Sequence, residues 1–267
     1  MKVAILGRGL IGGSIEKAAL RAGHDTTLFR GRGPIPDLSG FDIVFLAVPP
    51  SAIAAMVAEM DAKSNLSEGA IVLDIAGVKQ SVCRSIAPYA GTRSWHFVPA
   101  HPMAGKEKTG YANSCENLFD GASMILVPFP GTPAPVLERL GAFLRTLGFG
   151  RIVETTPAHH DEMIAFTSQL CHLISSAYVR EKMSAVHAGY SAGSFRDMIR
   201  VGAPEPDTWT ELFLANRDAI LPVLKRYIGR LEDFREAIEE CDHARLHAAL
   251  EDGVAAKAKI DEERITL

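Results

Sequence analysis

Three glycines near the start of the chain have the spacing of a phosphate-binding turn. Gly7, Gly9 and Gly12 form a G-x-G-x-x-G pattern between an apolar β-type run at residues 3–6 and a helical pattern. The first glycine permits a tight bend, the second lets the backbone approach a pyrophosphate, and the third lets the helix pack closely on the strand. The helix N-terminus then faces the phosphate charge, so this context predicts a dinucleotide site. The predicted contacts, at this turn and at neighbouring strand ends, are Gly7, Gly9, Leu10, Ile11, Gly12, Val48, Pro49 and Asp74.

The end of the second predicted strand carries arginines at the place where a carboxylate would favour NAD. About twenty residues after the glycine turn, an acidic side chain commonly binds the ribose 2'-hydroxyl of NAD. This chain has Arg30 and Arg32 there, and a guanidinium suits a 2'-phosphate. We therefore predict NADP as the cofactor, in preference to NAD. The alternative is that both arginines are solvated loop charges.

A histidine in the middle of the chain is a candidate base. His101 follows a predicted strand at residues 96–100, and Pro102 disfavours helical backbone at the residue before it. We expect an extended His101 facing the crevice at the carboxyl edge of the sheet, where ligands bind in open α/β folds. An imidazole can take a proton from a hydroxyl group while hydride leaves the same carbon. A lone histidine is more often a packing or surface residue, so its surroundings have to decide between these roles.

The elements that position these residues indicate an α/β half followed by a helical half. Strands are predicted at residues 3–6, 26–29, 43–48, 70–73, 96–100 and 124–127, and helices at 10–22, 51–61 and 135–146. Apolar strands without alternation are expected when helices cover both faces of a parallel sheet. The segment 31–40 contains two prolines and is too short for a helix with two turns, so it is predicted as a loop.

Only helices are predicted after Thr156 and Pro157, which read as an N-cap followed by proline at the first helical position. They are expected at residues 157–186, 208–227 and 231–259. The predicted fold class is therefore α/β, with an N-terminal Rossmann dinucleotide-binding domain at residues 1–155 and an all-helical C-terminal domain at residues 156–267.

Composition argues against several kinds of partner. The 267 residues carry a formal net charge of −4, without the basic excess that binding to nucleic acid or an anionic membrane favours. No stretch reaches the roughly 20 apolar residues of a membrane span, and the strand at the N-terminus leaves no room for a signal peptide. The four cysteines are far apart, which favours a reducing, cytoplasmic compartment. Neighbouring helical residues such as His159, His160 and Asp161 point in different directions, so no metal site is predicted.

Several ordered motifs resemble those of the prephenate and arogenate (cyclohexadienyl) dehydrogenase family. The most specific of them, HPMAGKEKTG, runs from His101 to Gly110. The resemblance covers almost the whole chain. The other matching segments, in the family's order and spacing, are GRGLIGGS at 7–14, DIAGVK at 74–79, NLFDG at 117–121, TPAHHD at 156–161 and FRDMIR at 195–200.

The resemblance implies a reaction and a set of roles. In this family a cyclohexadienol that bears a ring carboxylate is oxidised at C4 while the carboxylate leaves as CO2, and aromatisation of the ring drives the step. The resemblance implies that the reaction belongs to tyrosine biosynthesis. The resemblance implies that His101 is the catalytic base, that Arg200 binds the ring carboxylate of this small anionic substrate, and that His172 is a second polar contact. It also implies a homodimer formed through the helical domain. Further predicted substrate contacts are Gln169, Gly77 and Arg217, with Lys79 and Trp209 as weaker candidates.

Two positions depart from the family's pattern. The family often has a serine where this chain has Gly77, and a histidine where it has Gln169. Both positions lie near the expected substrate, so prephenate, arogenate and an amino-substituted analogue from specialised metabolism stay open as substrates. A β-hydroxyacid dehydrogenase would need a lysine early on the first interdomain helix, and residues 159–173 contain none. Pyrroline-carboxylate reductases would need a different polar set there. A catalytically silent dinucleotide sensor is the alternative from another class.

Overall fold

The N-terminal part of the chain is built on a parallel sheet. The structure, a computed structural model, describes residues 1–106 and 108–265, so Glu107 of the motif around His101 lies outside the described residues. The strands are β1 (Lys2–Leu6), β2 (Asp25–Phe29), β3 (Ile43–Leu46), β4 (Ile71–Asp74) and β5 (His96–Phe97). Their order is β2-β1-β3-β4-β5 and every neighbouring pair is parallel. The carboxyl ends of β1, β3 and β4 therefore meet at one edge.

Helices cover both faces of this sheet. They are α1 (Leu10–Arg21), α2 (Pro50–Lys63), α3 (Gln80–Ile86) and α4 (Ala134–Thr146). Successive strand side chains point to opposite faces, so Ile5 and Phe45 join a core cluster with α1 and α4. Leu6 and Leu46 join a second cluster with α2 and α3. Burial on both faces explains the continuous apolar strands, and it confirms the predicted α/β class.

The predicted strand at residues 96–100 is divided between two sheets. β5 ends at Phe97, and Pro99 has no N–H with which to continue the ladder. The chain then forms a second sheet from β6 (Ala100–Pro102), β7 (Ser123–Leu126) and β8 (Arg151–Glu154). His101 is extended as predicted, but its expected position after a strand of the main sheet is wrong. It lies inside β6, opposite Ile125 in an antiparallel pair.

The loop after β2 has no helix, as predicted. Residues 31–40 instead lie against α2 and the residues after it through hydrogen bonds, of which three involve Ile35 and Pro36. Glu59 accepts from the Ile35 N–H at 2.9 Å, Lys63 donates to the Ile35 carbonyl at 3.0 Å, and Asn65 donates to the Pro36 carbonyl at 2.8 Å. These contacts give the short loop a defined path along the edge of the sheet.

Helices follow β8, and in the described part of the chain no strand comes after Glu154. They are α5 (Pro157–Ile164), a π-helical turn (Ala165–Leu170), α6 (Cys171–Val179), α7 (Gly193–Ile199), α8 (Pro206–Ala215), α9 (Arg217–Glu239) and α10 (His243–Ile265). The Thr156 side chain accepts from the His159 N–H, which confirms the predicted cap. The predicted break between residues 227 and 231 is wrong, because the helices end at Ala215 and Glu239 instead.

By compactness the chain divides into two units, Met1–Ala219 and Ile220–Leu267. This division differs from the predicted domains 1–155 and 156–267, which stay a prediction. All four cysteines are free thiols. Among the described residues no helix is both long and apolar enough to cross a membrane.

Candidate active site

The glycine turn between β1 and α1 leaves room for a ligand at its second glycine. Gly7 has a φ of +130°, and a Cβ there would lie 2.0 Å from the Ala47 carbonyl oxygen. A Cβ on Gly12 would lie 2.0 Å from the Gly7 carbonyl oxygen, so these two glycines are required by packing. A Cβ on Gly9 would meet nothing within 4 Å. The turn therefore opens at the start of α1, beside the backbone of Leu10 and Ile11, which fits a pyrophosphate.

The loop after β2 closes against this turn. A Cβ on Gly31 would lie 2.8 Å from Gly7 Cα and 3.1 Å from Val48 Cγ1. Val48 thus lies beside the predicted phosphate site, and Pro49, which is exposed, precedes the first turn of α2. Arg30 and Arg32 are exposed and line a cavity of about 140 Å³ at the end of β2. The arginines follow β2, the glycine turn follows β1, and β3 and β4 are the next strands of the sheet. This edge therefore offers a path for an extended ligand from the arginines over the glycine turn toward the end of β4.

His101 is the first member of a hydrogen-bonded row of three side chains. His101 Nδ1 lies 2.9 Å from His160 Nε2, and His160 Nδ1 lies 2.8 Å from Asp161 Oδ1. β6 carries the first residue and α5 the other two. His160 and Asp161 are buried, whereas His101 is half-buried and lines a cavity.

The direction of these hydrogen bonds follows from Asp161. An ionised carboxylate only accepts hydrogen bonds, so His160 donates from Nδ1. Neutral His160 then accepts on Nε2 from the Nδ1–H of His101. His101 Nε2 is left without a hydrogen, as the nitrogen able to take up a proton. A carboxylate that holds an imidazole in one tautomer is also the arrangement of the Ser-His-Asp triad.

The pKa values favour neutral histidines in this row. Burial lowers the pKa of His101 well below its ordinary value of 6.5, and the positive charge of Lys79 lowers it further. Burial also lowers the pKa of His160, although its hydrogen bond to Asp161 acts in the opposite direction. Near neutral pH, His101 is therefore an unprotonated base.

Asp161 is held by the start of α3 as well as by His160. It accepts from the backbone N–H of Lys79 at 2.7 Å and of Gln80 at 2.8 Å. The Lys79 side chain is fully buried and pairs with Asp74, whose carboxylate also accepts from the Ala76 and Ala100 N–H groups. Asp74 has no exposed surface, so the predicted contact of its side chain with a cofactor is wrong. Lys79 likewise has no side-chain surface that a substrate could touch.

A cavity of about 410 Å³ lies in front of His101, and we term it the base-side cavity. Its lining includes Gly77, His101, Gly105, Gln169, Trp209 and Leu212. Gln169 was predicted to contact a substrate, but its side chain is buried and both ends of its amide are hydrogen-bonded within the protein. Its Oε1 accepts from Asn216 at 2.7 Å, and its Nε2 donates to the Leu212 carbonyl at 3.4 Å. Gln169 therefore holds the wall of the cavity instead of offering a free amide to a substrate.

A second cavity of about 420 Å³, the arginine-side cavity, is lined by Gly105, Lys106, His172, Arg200, Thr208 and Trp209, among others. Gly105 and Trp209 also line the base-side cavity, so the two cavities are neighbours. His172 Nδ1 donates to the Val201 carbonyl at 3.1 Å, and its ring lies on Trp209 with centroids 3.6 Å apart. Burial lowers the pKa of His172, which leaves it a neutral polar group beside the cationic Arg200 and Lys106.

Other predicted contacts lie outside this arrangement. Arg217 is exposed at the start of α9, lies 3.6 Å from Asp218, and lines neither cavity. Among the residues that the structure describes, no cluster of three potential metal ligands occurs. Sequence reasoning missed His160 and Asp161 as partners of His101. The signal was present in the TPAHHD segment, which is interpreted from the sequence as a helix cap and a family motif, with its His and Asp residues considered only as metal ligands.

The chain matches two family models that follow one another along the sequence. They are "Prephenate dehydrogenase, nucleotide-binding domain", over residues 4–154, and "Prephenate dehydrogenase, dimerization domain", over residues 156–252. The cyclohexadienyl dehydrogenase of Zymomonas mobilis is 33% identical, with 90% of this chain and 89% of the relative covered.

Solved structures show the same fold. The crystal structure of Synechocystis arogenate dehydrogenase is 27% identical with a TM-score of 0.78, and 97% of this chain and 100% of that chain are covered. Prephenate dehydrogenase from A. aeolicus, solved with hydroxyphenyl propionate and NAD+, is 24% identical with a TM-score of 0.81 and coverage of 97% and 98%. The predicted fold and family are thus confirmed. This chain belongs to the prephenate dehydrogenase family and is a dehydrogenase.

Proposed function

We propose that this chain catalyses the oxidative decarboxylation of prephenate or arogenate, with hydride transfer to NADP, in tyrosine biosynthesis. The observation that carries the proposal is the row His101–His160–Asp161 at the wall of the base-side cavity. The neighbouring arginine-side cavity supplies cations for an anionic substrate. A base and an anion site in adjoining cavities fit a hydroxy acid that loses both hydride and carboxylate.

The residues divide the chemistry between them. His101 Nε2 takes the proton of the C4 hydroxyl, and Arg200 holds the ring carboxylate through charge-assisted hydrogen bonds. The bound cofactor supplies the acceptor for the C4 hydride. The bond between the ring and the carboxylate breaks, CO2 leaves, and the electron pair of that bond enters the ring as it becomes aromatic. His101 then returns its proton to the phenolic oxygen, so the base is restored within one turnover.

Turnover tests this proposal. The chain is mixed with NADP and, in separate reactions, with prephenate, arogenate or an amino-substituted analogue, and absorbance at the nicotinamide band is followed. We expect reduction with at least one substrate, and loss of about 10³-fold or more in kcat/KM in His101→Asn. The substrate with the highest kcat/KM identifies the side chain accepted. Absence of turnover with all three would favour a silent sensor instead.

The preference for NADP rests on Arg30 and Arg32 at the end of β2. Both are exposed, both line the cavity there, and the chain has no carboxylate at this position. We expect NADPH to bind more tightly than NADH, and Arg30→Ser/Arg32→Ser to weaken NADPH binding by about 10- to 100-fold with little effect on NADH. The control is Arg151→Ser, at an exposed position of β8. Tighter binding of NADH by the unaltered chain would overturn the preference.

We also infer a homodimer, formed through the helical part of unit Met1–Ala219. Met183, Val186 and Tyr190 are exposed by 70%, 65% and 95%, beside a cavity of about 840 Å³ with a mainly apolar lining. Apolar surface of this extent is typical of an interface. We expect a dimer in sedimentation analysis and a monomer after Val186→Glu/Tyr190→Glu. A monomeric parent would contradict the proposal. A cytoplasmic location, without nucleic-acid or membrane partners, stays a prediction.

A further inference from the structure

The side chain of Leu212 occupies the space next to Gly77, beside the imidazole of His101. A Cβ built on Gly77 would lie 3.3 Å from Leu212 Cδ2, 3.7 Å from Leu212 Cδ1 and 3.8 Å from His101 Cε1. The first distance is tighter than ordinary van der Waals contact. The two residues are therefore complementary in size, because the Leu212 side chain occupies the space that a side chain at position 77 would need.

Leu212 faces the base-side cavity together with Trp209. The two residues are three apart on α8, so their side chains project from one face of the helix, and both line the cavity. The wall of the cavity next to the base is consequently apolar. Such a wall excludes water from the ring and offers it dispersion contacts.

Hydrogen bonds hold this wall from two directions. The Leu212 carbonyl accepts from Gln169 Nε2 at 3.4 Å and from the Asn216 N–H at 3.1 Å. The preceding residue, Glu211, accepts from the Ser51 N–H at 2.7 Å, at the start of α2. α8 is thus attached both to the π-helical turn that carries Gln169 and to the nucleotide-binding part. The backbone of Leu212 is therefore held in place, which keeps its side chain next to Gly77 and the imidazole of His101.

We propose that Leu212 is a specificity-determining residue, whose side chain contacts the substrate ring beside His101 and requires glycine at position 77. This inference rests on the proposed function and identifies a residue that determines which substrate rings fit next to His101. The substrate class is a flat cyclohexadienyl ring without a substituent next to the reacting carbon. The hydroxyl proton is left to His101, because the groups beside it at positions 77 and 212 are apolar.

A double-mutant cycle tests the pair. In Leu212→Ala the ring loses an apolar contact in ground state and transition state alike, so we expect KM to rise about 10-fold with kcat within about 3-fold of the parent. Gly77→Ser places new atoms against Leu212 and should lower kcat/KM by about 10- to 100-fold. Gly77→Ser/Leu212→Ala should regain at least about 10-fold over Gly77→Ser, because the second change restores the room.

Controls separate contact from folding. Leu214→Ala lies on the same helix, but its leucine is 68% exposed and lines neither cavity, so KM should stay at the parental value. Leu212→Val, a smaller change, should raise KM to an intermediate value even if the alanine variant folds poorly, as judged by thermal unfolding. Equal KM in the variants at 212 and 214, or a double variant no better than Gly77→Ser, would overturn this inference alone. A parent enzyme without turnover would overturn the proposed function as well.

Discussion

The reactivity that we propose for His101 depends on the residues behind its ring. Its Nδ1–H is bound to His160, and His160 is bound to Asp161, so the nitrogen left for a substrate is an unprotonated Nε2. Burial keeps the imidazole neutral near pH 7. In the proposed mechanism His160 is a positioning residue, because it would act on the substrate through His101.

Changing His160 tests this role. In His160→Leu the His101 Nδ1–H loses its acceptor and the reactive tautomer is no longer favoured, so kcat/KM should fall by about 10³-fold. His160→Gln has an amide oxygen that can accept from His101, and it should retain more activity than the leucine variant. Steady-state kinetics measures both. His159→Leu, at the exposed neighbouring position, serves as the control and should keep parental activity.

The pH profile distinguishes positioning from simple loss of structure. Neutral His160 accepts a hydrogen bond from the His101 Nδ1–H and so stabilises the protonated imidazole, and its replacement by leucine should therefore lower the pKa of His101 further and move the acidic limb of kcat/KM to lower pH. If the acidic limb of the pH profile of kcat/KM stayed in place in His160→Leu, and activity were only lower at every pH, the role given to His160 would be contradicted.

Arg200 should act on substrate binding more than on chemistry. It lines the arginine-side cavity with His172 and Lys106, and a guanidinium binds a carboxylate with two parallel hydrogen bonds. In Arg200→Ala we expect KM for the anionic substrate to rise about 10- to 100-fold, with a smaller change in kcat. Arg196→Ala on α7 is the matched control, since Arg196 lines neither cavity. A KM in Arg200→Ala equal to that of the control would refute the assignment.

At the scale of elements, α5 and α3 are joined through one carboxylate. Asp161 on α5 accepts from two backbone N–H groups at the start of α3 and also orients His160. The first helix of the helical half is thereby attached to the end of β4. The same bonds place His160 behind His101, so the packing of these helices and the tautomer of the base depend on each other.

Asp161→Asn should therefore affect stability and activity together. An asparagine side chain has one acceptor oxygen, so at least one of the three N–H donors would face an amide nitrogen in a buried site. We expect the free energy of unfolding to fall by about 2–4 kcal/mol and kcat/KM to fall with it. Urea titration and kinetics measure the two effects. Glu162→Gln, at the exposed neighbouring position on α5, should change neither quantity. An Asp161→Asn variant with the parental free energy of unfolding would contradict the role given to Asp161.

Element prediction succeeded where the signals are local. The glycine turn, the apolar strands and the cap at Thr156 each depend on residues within a few positions of one another, and the structure has all three. The break between α8 and α9 was missed because its cause is not local. The Asn216 side chain is buried and donates to the Asp161 carbonyl and to Gln169.

For the whole molecule, histidines make stability depend on pH. Burial lowers the pKa of His24, His96, His101, His160 and His172 below 6.5. Below that pH the unfolded chain binds more protons than the folded chain, so the free energy of unfolding should fall as pH falls from about 6.5 toward 5. His101 alone contributes a slope of about 1.4 kcal/mol per pH unit while it is charged only in the unfolded state.

This slope is measured by urea titrations at a series of pH values from 8 to 5, spaced by about one pH unit. The variant His24→Gln/His96→Gln lacks two of the groups outside the active site and should have a shallower slope than the parent. Stability that rises on acidification in this range would contradict the pKa directions.

Short segments of the sequence are enough to predict the α/β class, the dinucleotide turn and the family, and they single out His101 as the candidate base. These features are carried by short segments whose residue types and spacing have a direct physical meaning. The tertiary structure was needed to show which groups are hydrogen-bonded behind His101 and which ones only pack. The bond from His101 to His160 joins positions 59 residues apart, and the bond from Lys79 to Asp161 joins positions 82 residues apart. Asp74 and Lys79 were predicted as ligand contacts but are fully buried as partners of each other, and Gln169 lines the base-side cavity with its amide bound to Asn216 and to the Leu212 carbonyl. These contacts join residues that are far apart along the chain, and a local pattern does not specify which distant segment will supply a hydrogen bond or fill the space beside Gly77.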